Sequence, residues 1–161
     1  MKSVTFAIET PLQADVRAMV RELNAHLMPL SPPEFQFQMT AEQMAEPHTT
    51  VFVARDKTGN ATGMGSLKMH GPDLAEVKRF WIRPACRGTG IGRTLLDRVI
   101  LLARENAVGR IALETGGTEP FAGTWRFYEA GGFTRCDAFL DYTDTHYSRF
   151  YEKYLNPEMS I

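Results

Sequence analysis

Cysteine is scarce in this sequence, which has only Cys86 and Cys136 among its 161 residues. Two distant thiols form neither the dense framework of a small disulfide-rich protein nor the closely spaced pairs of a zinc site. We interpret both as reduced, structural thiols. The histidines, at positions 26, 48, 70 and 146, are equally scattered and lack metal-ligand spacing. The sequence therefore predicts no bound metal.

Long apolar runs are also missing. No stretch approaches the roughly 18 residues needed to span a bilayer. The N-terminus "MKSVTFAIET" has neither the apolar core nor the cleavage site of a signal peptide. We therefore expect a cytoplasmic protein with no membrane partner. Because repeats, low-complexity tracts and linkers are absent too, residues 1–161 are expected to fold as a single domain.

Net charge is nearly absent, at −1, and this argues against a general nucleic-acid-binding protein. The distribution is uneven, because eight basic residues and only two acidic ones lie between Lys78 and Arg110. Such a local excess indicates an anionic partner. For Arg98, Arg104 and Arg110 a solvated basic helix face is the preferred interpretation.

The hydrophobic pattern predicts a mixed α/β (α+β) fold. The expected order of elements is β-α-α-β-β-β-α-β-α-β-β. The segments behind it are "SVTFAIE", Pro11 to Met28, Thr40 to Ala45, "TTVFVAR", "ATGMGSLKMH", "LAEVKRFWI", Gly90 to Asn106, "RIALET", "FAGTWRFYEAGGF", "FTRCDAF" and "SRFYEKYL". The helix between the fourth and fifth strands makes those strands parallel. We expect antiparallel N-terminal strands, one central parallel crossover and about four helices.

The glycine-rich stretch "RGTGIG", residues 87–92, joins the fourth predicted strand to the next helix. Its glycines could simply permit a tight turn. A dinucleotide site would need G-x-G-x-x-G after an N-terminal βαβ unit, whereas the spacing here is G-x-G-x-G after antiparallel strands. A P-loop would need Lys-Ser/Thr after the last glycine, and this pair is missing here. A pyrophosphate cradle is the third interpretation, because glycine N–H groups and a helix N-terminus bind phosphate oxygens, supplemented here by Arg87 and Arg93.

The stretch "VKRFWIRPACRGTGIGRTLL" resembles the signature of the GNAT superfamily of N-acetyltransferases. In that family a Q/R-x-x-G-x-G/A loop after the fourth strand binds the pyrophosphate of acetyl-coenzyme A, and Arg87, Gly90 and Gly92 occupy its fixed positions. "FYEAGGF" is similar to the family's Y-x-x-x-G-F segment. "LSPPEF", "LETG" and "CDAFLDY" look most like the small bacterial acetyltransferases often labelled YsnE-like.

The resemblance implies a cytoplasmic bacterial acyltransferase that uses acetyl-coenzyme A as cosubstrate and needs no metal. The cofactor contacts that it implies are Phe80, Trp81, Ile82, Arg87, Gly88, Thr89, Gly90, Ile91, Gly92 and Arg93. In similar proteins the backbone at the end of the fourth strand, here Phe80 to Ile82, pairs with the pantetheine arm. Its N–H groups also stabilise the oxyanion of the tetrahedral intermediate.

Glu76 is the candidate general base. An amine with a pKa near 10.4 is mostly protonated at pH 7, so that attack on a thioester needs a group that accepts its proton. Glu76 stands eleven residues before Arg87, the offset at which several similar GNAT enzymes carry a glutamate base, acting in some through water. The open alternative is a strand carboxylate paired with Lys78 or Lys68.

Tyr128 matches the family's general acid, which protonates the departing thiolate. The competing interpretation is structural, because Phe121, Trp125 and Tyr128 recur at i, i+4 and i+7, a spacing more typical of a core stripe. The resemblance favours the catalytic role. The site expected from the sequence therefore combines Tyr128 and Glu76 with the cofactor contacts.

The acceptor implied by the resemblance is a primary amine of a small molecule, amino acid or peptide, attacking directly in a ternary complex. "PLSPPEF" and "DAFLDYTDTHY" correspond to regions that border the acceptor groove in similar proteins. Within the second segment Asp137, Asp141 and Asp144 are either attractors of a cationic amine or solvated loop carboxylates. A homodimer is expected from the family alone.

Two other classes of protein stay open. One is a non-catalytic acyl-coenzyme A sensor or interaction module that keeps the cradle without turnover. The other, weaker one is a dinucleotide-binding oxidoreductase. Activity towards amines separates the enzyme from the sensor, and binding of NAD(H) would favour the oxidoreductase.

Overall fold

The structure, a computed structural model, describes residues 3–155, and their strands form one seven-stranded mixed sheet. The strands are β1 (Thr5–Ile8), β2 (Thr49–Arg55), β3 (Ala61–Met69), β4 (Leu74–Ile82), β5 (Arg110–Gly116), β6 (Thr134–Cys136) and β7 (Ser148–Tyr154). The α-helices in this range are α1 (Ala14–Leu27), α2 (Ala41–Met44), α3 (Ile91–Glu105) and α4 (Ala122–Ala130). The predicted fold class and order of elements are confirmed.

The sheet has the strand order β1-β2-β3-β4-β5-β7-β6. β1 to β4 form an antiparallel meander. α3 then carries the chain across the sheet to β5, which pairs with β4 in parallel, as the crossover rule predicts. β7 lies between β5 and β6 and is antiparallel to both.

One face of the sheet is covered by α3 and α4. α3 begins after Gly90, and its buried side chains recur at helical spacing, which gives it one apolar side. The hydrophobic core between this face of the sheet and the helices consists mainly of Ala75, Val77, Ile91, Leu95, Leu96, Val99, Ile111 and Leu113. Complete burial of one such leucine or isoleucine contributes roughly 1.5 to 3 kcal/mol, so this face anchors the start of α3 firmly.

The opposite face is covered by α1 and α2. The predicted stripe on α1 is buried at Val16, Met19, Val20 and Leu23, while Leu27 at its end is only half-buried. The strand side chains that it packs against are Val51, Val53, Met64 and Trp81. A smaller cluster on this face contains Ala112, Phe139 and Phe150. No helix within residues 3–155 is long and apolar enough to cross a membrane.

The basic residues outside the loop do not all behave as predicted. Arg98 and Arg104 lie on α3 and are exposed. Arg110 instead begins β5, and its Nε donates to Glu152 Oε1 at 2.8 Å. The predicted solvated helix face is therefore wrong for Arg110, because the helix has already ended and a neighbouring strand supplies a carboxylate.

β4 and β5 separate towards their carboxyl ends. Their pairing covers only Leu74–Glu76 against Arg110–Ala112, although β4 continues to Ile82 and β5 to Gly116. The two strands therefore open a cleft in the middle of the sheet, between the helix-covered faces.

A β-bulge interrupts β4 at Arg79. Arg79 has a φ of 47°, and the register of β3 and β4 shifts between Met64 and Ser66. Before the bulge Val77 packs under α3, while beyond it Phe80 packs on that face. Such an extra residue re-aims side chains, and here it directs Arg79 towards α1, where it contacts Asn24.

Candidate active site

The cleft between β4 and β5 is a cavity of about 720 Å³. Its walls come from both strands, the end of α1, the segment 31–38, the start of α3 and α4. This volume falls in the range of sites for small molecules and cofactors. The cavity brings together most of the residues that the sequence predicts, and we describe them from the loop inwards.

The glycine loop delivers unpaired backbone N–H groups to the cavity. Gly88 and Gly90 have φ values of 78° and 89°, a left-handed conformation that glycine adopts without strain. Within residues 3–155 the N–H groups of residues 91–93, the first turn of α3, have no hydrogen-bond acceptor. Such N–H groups, together with the positive end of the helix dipole, attract anions.

Arg87 and Arg93 place positive charge at this end of the cavity. Arg87 Nε donates to the carbonyl of Ile82 at 2.9 Å, and its guanidinium lies 4.8 Å from the ring centre of Trp81. Arg93 donates to Asp97 and remains about half exposed, with 54% of its side chain accessible. Both side chains line the cavity, so the predicted charge stands beside the loop.

Two residues of the loop have other roles. The hydroxyl of Thr89 donates to the carbonyl of Cys86 at 2.6 Å, and Thr89 does not line the cavity. Gly92 allows close packing of α3 on α4, because a Cβ there would lie 3.3 Å from the ring of Phe127. Ile91 is buried in the core, although it reaches the cavity wall.

The end of β4 forms the cavity's central wall. Phe80, Trp81 and Ile82 all line it, and here β4 no longer pairs with β5. Their side chains alternate as predicted. Phe80 packs beside Tyr128 under α4, with ring centres 6.3 Å apart, whereas the Trp81 indole donates to Glu22 on α1 at 3.2 Å.

Tyr128 lies on α4 at the cavity wall. It is only 5% exposed, and burial raises the pKa of its phenol. Its hydroxyl forms no hydrogen bond with any residue in the range 3–155, while its ring packs between Phe80 and Phe133. Tyr128 therefore offers a proton that no other described group uses.

Glu76 also lines the cavity, but its carboxylate is fully engaged. It is 3% exposed, His70 Nε2 lies 2.9 Å from Oε1, and the Tyr142 hydroxyl donates to Oε2 at 2.5 Å. Lys78 Nζ lies 3.5 Å from Oε2 and donates to the same tyrosine. The Lys78 contact foreseen in the structural alternative is thus present, within a larger network.

Glu114 on β5 is a second carboxyl group in this cavity, and the sequence reasoning did not select it. Burial raises the pKa of Glu114 to about 8, and the neighbouring Ser148 hydroxyl and Lys78 charge offset the effect only partly. The sequence indicates Glu114 only through strand alternation. Leu113 packs in the core on one face of β5, so its neighbour Glu114 lies on the opposite face.

The expected acceptor regions contribute aromatic side chains. Phe35 and Tyr147 line the cavity and stack with ring centres 5.1 Å apart, and Phe37 lies on the same wall. Asp137, Asp141 and Asp144 are exposed and do not line it. Their position agrees with the solvated-carboxylate interpretation.

Comparisons with known proteins agree with this architecture. A family model described as "Acetyltransferase (GNAT) family" matches residues 17–133. The "IAA acetyltransferase" of Azospirillum brasilense is 34% identical over 95% of this chain and 99% of its own length. The "Uncharacterized N-acetyltransferase YsnE" of Bacillus subtilis (strain 168) is 30% identical over 86% of this chain and 93% of its own.

A solved structure shows the same fold. The crystal structure of a Klebsiella pneumoniae protein described as a "putative acyl-CoA N-acyltransferase" matches with a TM-score of 0.79 and 25% sequence identity. The match covers 95% of this chain and 98% of that one, so it includes the divergent strands as well as the helices on both faces.

Proposed function

This chain belongs to the GNAT acetyltransferase family, and from that premise we propose that it transfers the acetyl group of acetyl-coenzyme A to a primary amine of a small molecule, amino acid or peptide. One observation carries the proposal: the cavity between β4 and β5 joins an anion-binding helix start to buried ionisable groups. A cofactor with a pyrophosphate and a thioester needs both kinds of environment.

In the proposed complex the pyrophosphate lies against the N–H groups of residues 88–93, with Arg87 and Arg93 as its charged partners. The pantetheine arm follows the backbone of β4, which lacks a strand partner there. The N–H groups of Phe80 to Ile82 then stabilise negative charge on the thioester oxygen as the amine attacks. The amine nitrogen forms its bond to the acetyl carbon directly, without an acetylated enzyme.

Glu76 is the proposed acceptor of the amine's proton. Because both of its oxygens already have partners, the proton reaches it through a bridging water rather than by direct contact with the amine. Glu114 is a second candidate, favoured by its raised pKa. The pH dependence of kcat/KM for Glu76→Gln and Glu114→Gln separates them, since loss of the base removes the rise in kcat/KM on the acidic side of the profile in one variant only.

Tyr128 is the proposed general acid. As the tetrahedral intermediate collapses, the C–S bond breaks and the sulfur takes its electron pair. The Tyr128 hydroxyl then donates its proton to that sulfur. Because the same burial that raises the phenol's pKa also disfavours a thiolate, the transfer takes place between two groups that are both costly to ionise here.

Three measurements test the proposal. Titration calorimetry of the folded protein with acetyl-coenzyme A should give binding in the micromolar range, and absence of binding would overturn it. A panel of amines, amino acids and peptides, followed by thiol release and by mass, should contain an acceptor that gains one acetyl group. Protein incubated with acetyl-coenzyme A alone should stay unmodified, because accumulation of acetylated protein would contradict direct attack.

A further inference from the structure

Arg79 is a buried cation at the cavity wall without an anionic partner. It is 7% exposed and lines the cavity. Its Nη2 donates to the side-chain oxygen of Asn24 and, at 3.4 Å, to the carbonyl of Val20. Its Nε is buried and unpaired within the described part of the chain. Both of its partners are neutral groups of α1.

A charge in this position is expensive to bury. Buried guanidinium groups in proteins are normally paired with carboxylates or phosphates, because neutral acceptors replace the lost hydration only partly. Burial lowers the pKa of Arg79 to about 10, and no nearby charge counteracts it. The group remains charged at neutral pH, and its missing counter-charge is the unexplained feature.

The surroundings supply no counter-charge to Arg79. Lys78 precedes Arg79 on β4, and its contact with Glu76 engages that carboxylate with another cation. Glu114 has a pKa of about 8, which leaves it mostly protonated at pH 7. His26, on α1 at the same cavity, has a pKa lowered by desolvation and by the Arg87 charge, both of which disfavour its charged form. No other acidic side chain among the described residues lines this cavity.

We infer that the acceptor carries a carboxylate, which pairs with the guanidinium of Arg79 when the acceptor enters the cavity. This inference rests on the proposed acetyl transfer and narrows its acceptor to small amines that bear an acid group, such as α-amino acids. The aromatic wall of Phe35, Phe37 and Tyr147 supplies an apolar surface for the rest of such a molecule. Phenylalanine and its derivatives are therefore suitable probes.

The experiment compares three molecules that differ at one group: phenylalanine, phenylalaninamide and phenethylamine. With the wild-type protein, kcat/KM for acetylation of the acid should exceed that of the amide and of the amine at least about tenfold. In Arg79→Met the acid should lose about 30-fold or more, as expected when one partner of a buried charge pair is removed. The amide should change less than about threefold, so the preference disappears.

Two further variants serve as controls. Arg79→Lys keeps a charge without the planar fork and should retain part of the preference for the acid. Arg98→Met removes an exposed arginine from α3 and should leave all three rates unchanged. Unfolding midpoints and acetyl-coenzyme A affinities of each variant show whether the fold and the cofactor site persist.

The outcomes are separable. Equal acetylation of the three probes by the wild-type protein would overturn the inference while leaving the acetyltransferase intact. Equal losses for acid and amide in Arg79→Met would assign Arg79 to the contact between β4 and α1 alone. If acetyl-coenzyme A binds but no amine reacts, the proposed function fails. Titration of phenylalanine and phenylalaninamide into the coenzyme A complex then still tests the inference about Arg79. The inference is supported if phenylalanine alone binds and this binding is lost in Arg79→Met, and any other result overturns it.

Discussion

Three ionisable side chains of β4 and β5 line the same cavity but have very different electrostatic environments. Glu76 is surrounded by donors, Arg79 has only neutral acceptors, and Glu114 is half-buried with a raised pKa. The stability of the charged form therefore depends on a different factor at each residue. It depends on the surrounding donors at Glu76, on the arrival of an anion at Arg79 and on the uptake of a proton at Glu114. These differences make single substitutions informative.

Tyr128→Phe should separate catalysis from folding. The hydroxyl has no hydrogen-bond partner in residues 3–155, so its removal should change the free energy of unfolding by less than about 0.5 kcal/mol. Loss of a general acid should lower kcat about 100-fold. Acetyl-coenzyme A affinity, followed by calorimetry, should change less than about threefold. Retained turnover would remove Tyr128 from its proposed role, and turnover by the wild type excludes the sensor alternative.

Glu114 makes stability depend on pH. Its pKa rises on folding from 4.5 to about 8, so between these values the folded protein binds more protons than the unfolded chain. Stability contributed by this group is thus complete below pH 4.5 and is lost as the pH rises towards 8, at up to about 1.4 kcal/mol per pH unit.

Glu114→Gln cannot ionise and should escape that loss. Urea unfolding at pH 5 and pH 8.5 should give the variant an advantage over wild type that grows by more than about 1 kcal/mol between the two pH values. Other titrating groups affect both proteins equally, so the difference isolates Glu114. An advantage that stays constant with pH would show that Glu114 titrates normally.

At the scale of elements, the glycine loop and α3 work as one unit. Gly88 and Gly59 both have left-handed φ values, 78° and 89°, and a Cβ at either would meet nothing within 4 Å. Gly59 lies in the turn between β2 and β3, away from the cavity, whereas Gly88 lines it. They form a matched pair for substitution by alanine.

Gly88→Ala and Gly59→Ala should each lose about 1 kcal/mol of stability, because alanine is strained in that conformation. Only Gly88→Ala should weaken acetyl-coenzyme A binding, by tenfold or more, since Gly88 lines the cavity at the proposed pyrophosphate site and an added methyl group takes up open space there. Thermal unfolding and calorimetry measure the two effects. Equal affinities in the two variants would place the pyrophosphate elsewhere.

The sequence is a good guide to these elements and a poorer one to the site. Alternation and helical stripes are local signals, and the crossover rule makes β4 and β5 parallel, so the order of elements is predictable. The bulge is not, because Arg79 adopts a positive φ without glycine or proline to indicate it. The role of Arg79 depends on that bulge.

The partners of Glu76 show the same limit. The offset from Arg87 identifies Glu76, but Tyr142 reaches it from a loop 66 positions away, so its engagement depends on tertiary structure. Tyr128, the loop glycines and the end of β4 follow a recognisable motif, and the structure brings them to one cavity. Thr89 follows the motif too, yet its side chain faces a carbonyl instead.

The whole molecule is held at its centre by few strand contacts. Only three residue pairs join β4 to β5, and beyond that point side-chain contacts such as Lys78 with Tyr142 and Phe80 with Tyr128 connect the two halves of the sheet. A cofactor lying in the cleft would bridge the halves. By mass action, acetyl-coenzyme A at 100 times its Kd should raise the free energy of unfolding by about 2.7 kcal/mol.

Hydrogen exchange can locate that stabilisation. Amides at the end of β4 and the first turn of α3 should become protected when acetyl-coenzyme A is added, while those of β1 and β2 should change little. Protection confined to β1 and β2 would contradict the proposed position of the cofactor. Coenzyme A without the acetyl group should protect the same segments.

Trp81 stands between the two ends of the cleft. The Arg87 guanidinium lies over its ring, and its indole N–H donates to Glu22, which also accepts from Arg83. These contacts join Arg87, a proposed phosphate partner, to α1, whose end lines the same cavity as Phe35 and Tyr147. Binding at the two ends of the cleft is subject to thermodynamic linkage. Any change that bound cofactor makes to the acceptor's binding free energy is matched by an equal change that bound acceptor makes to the cofactor's binding free energy.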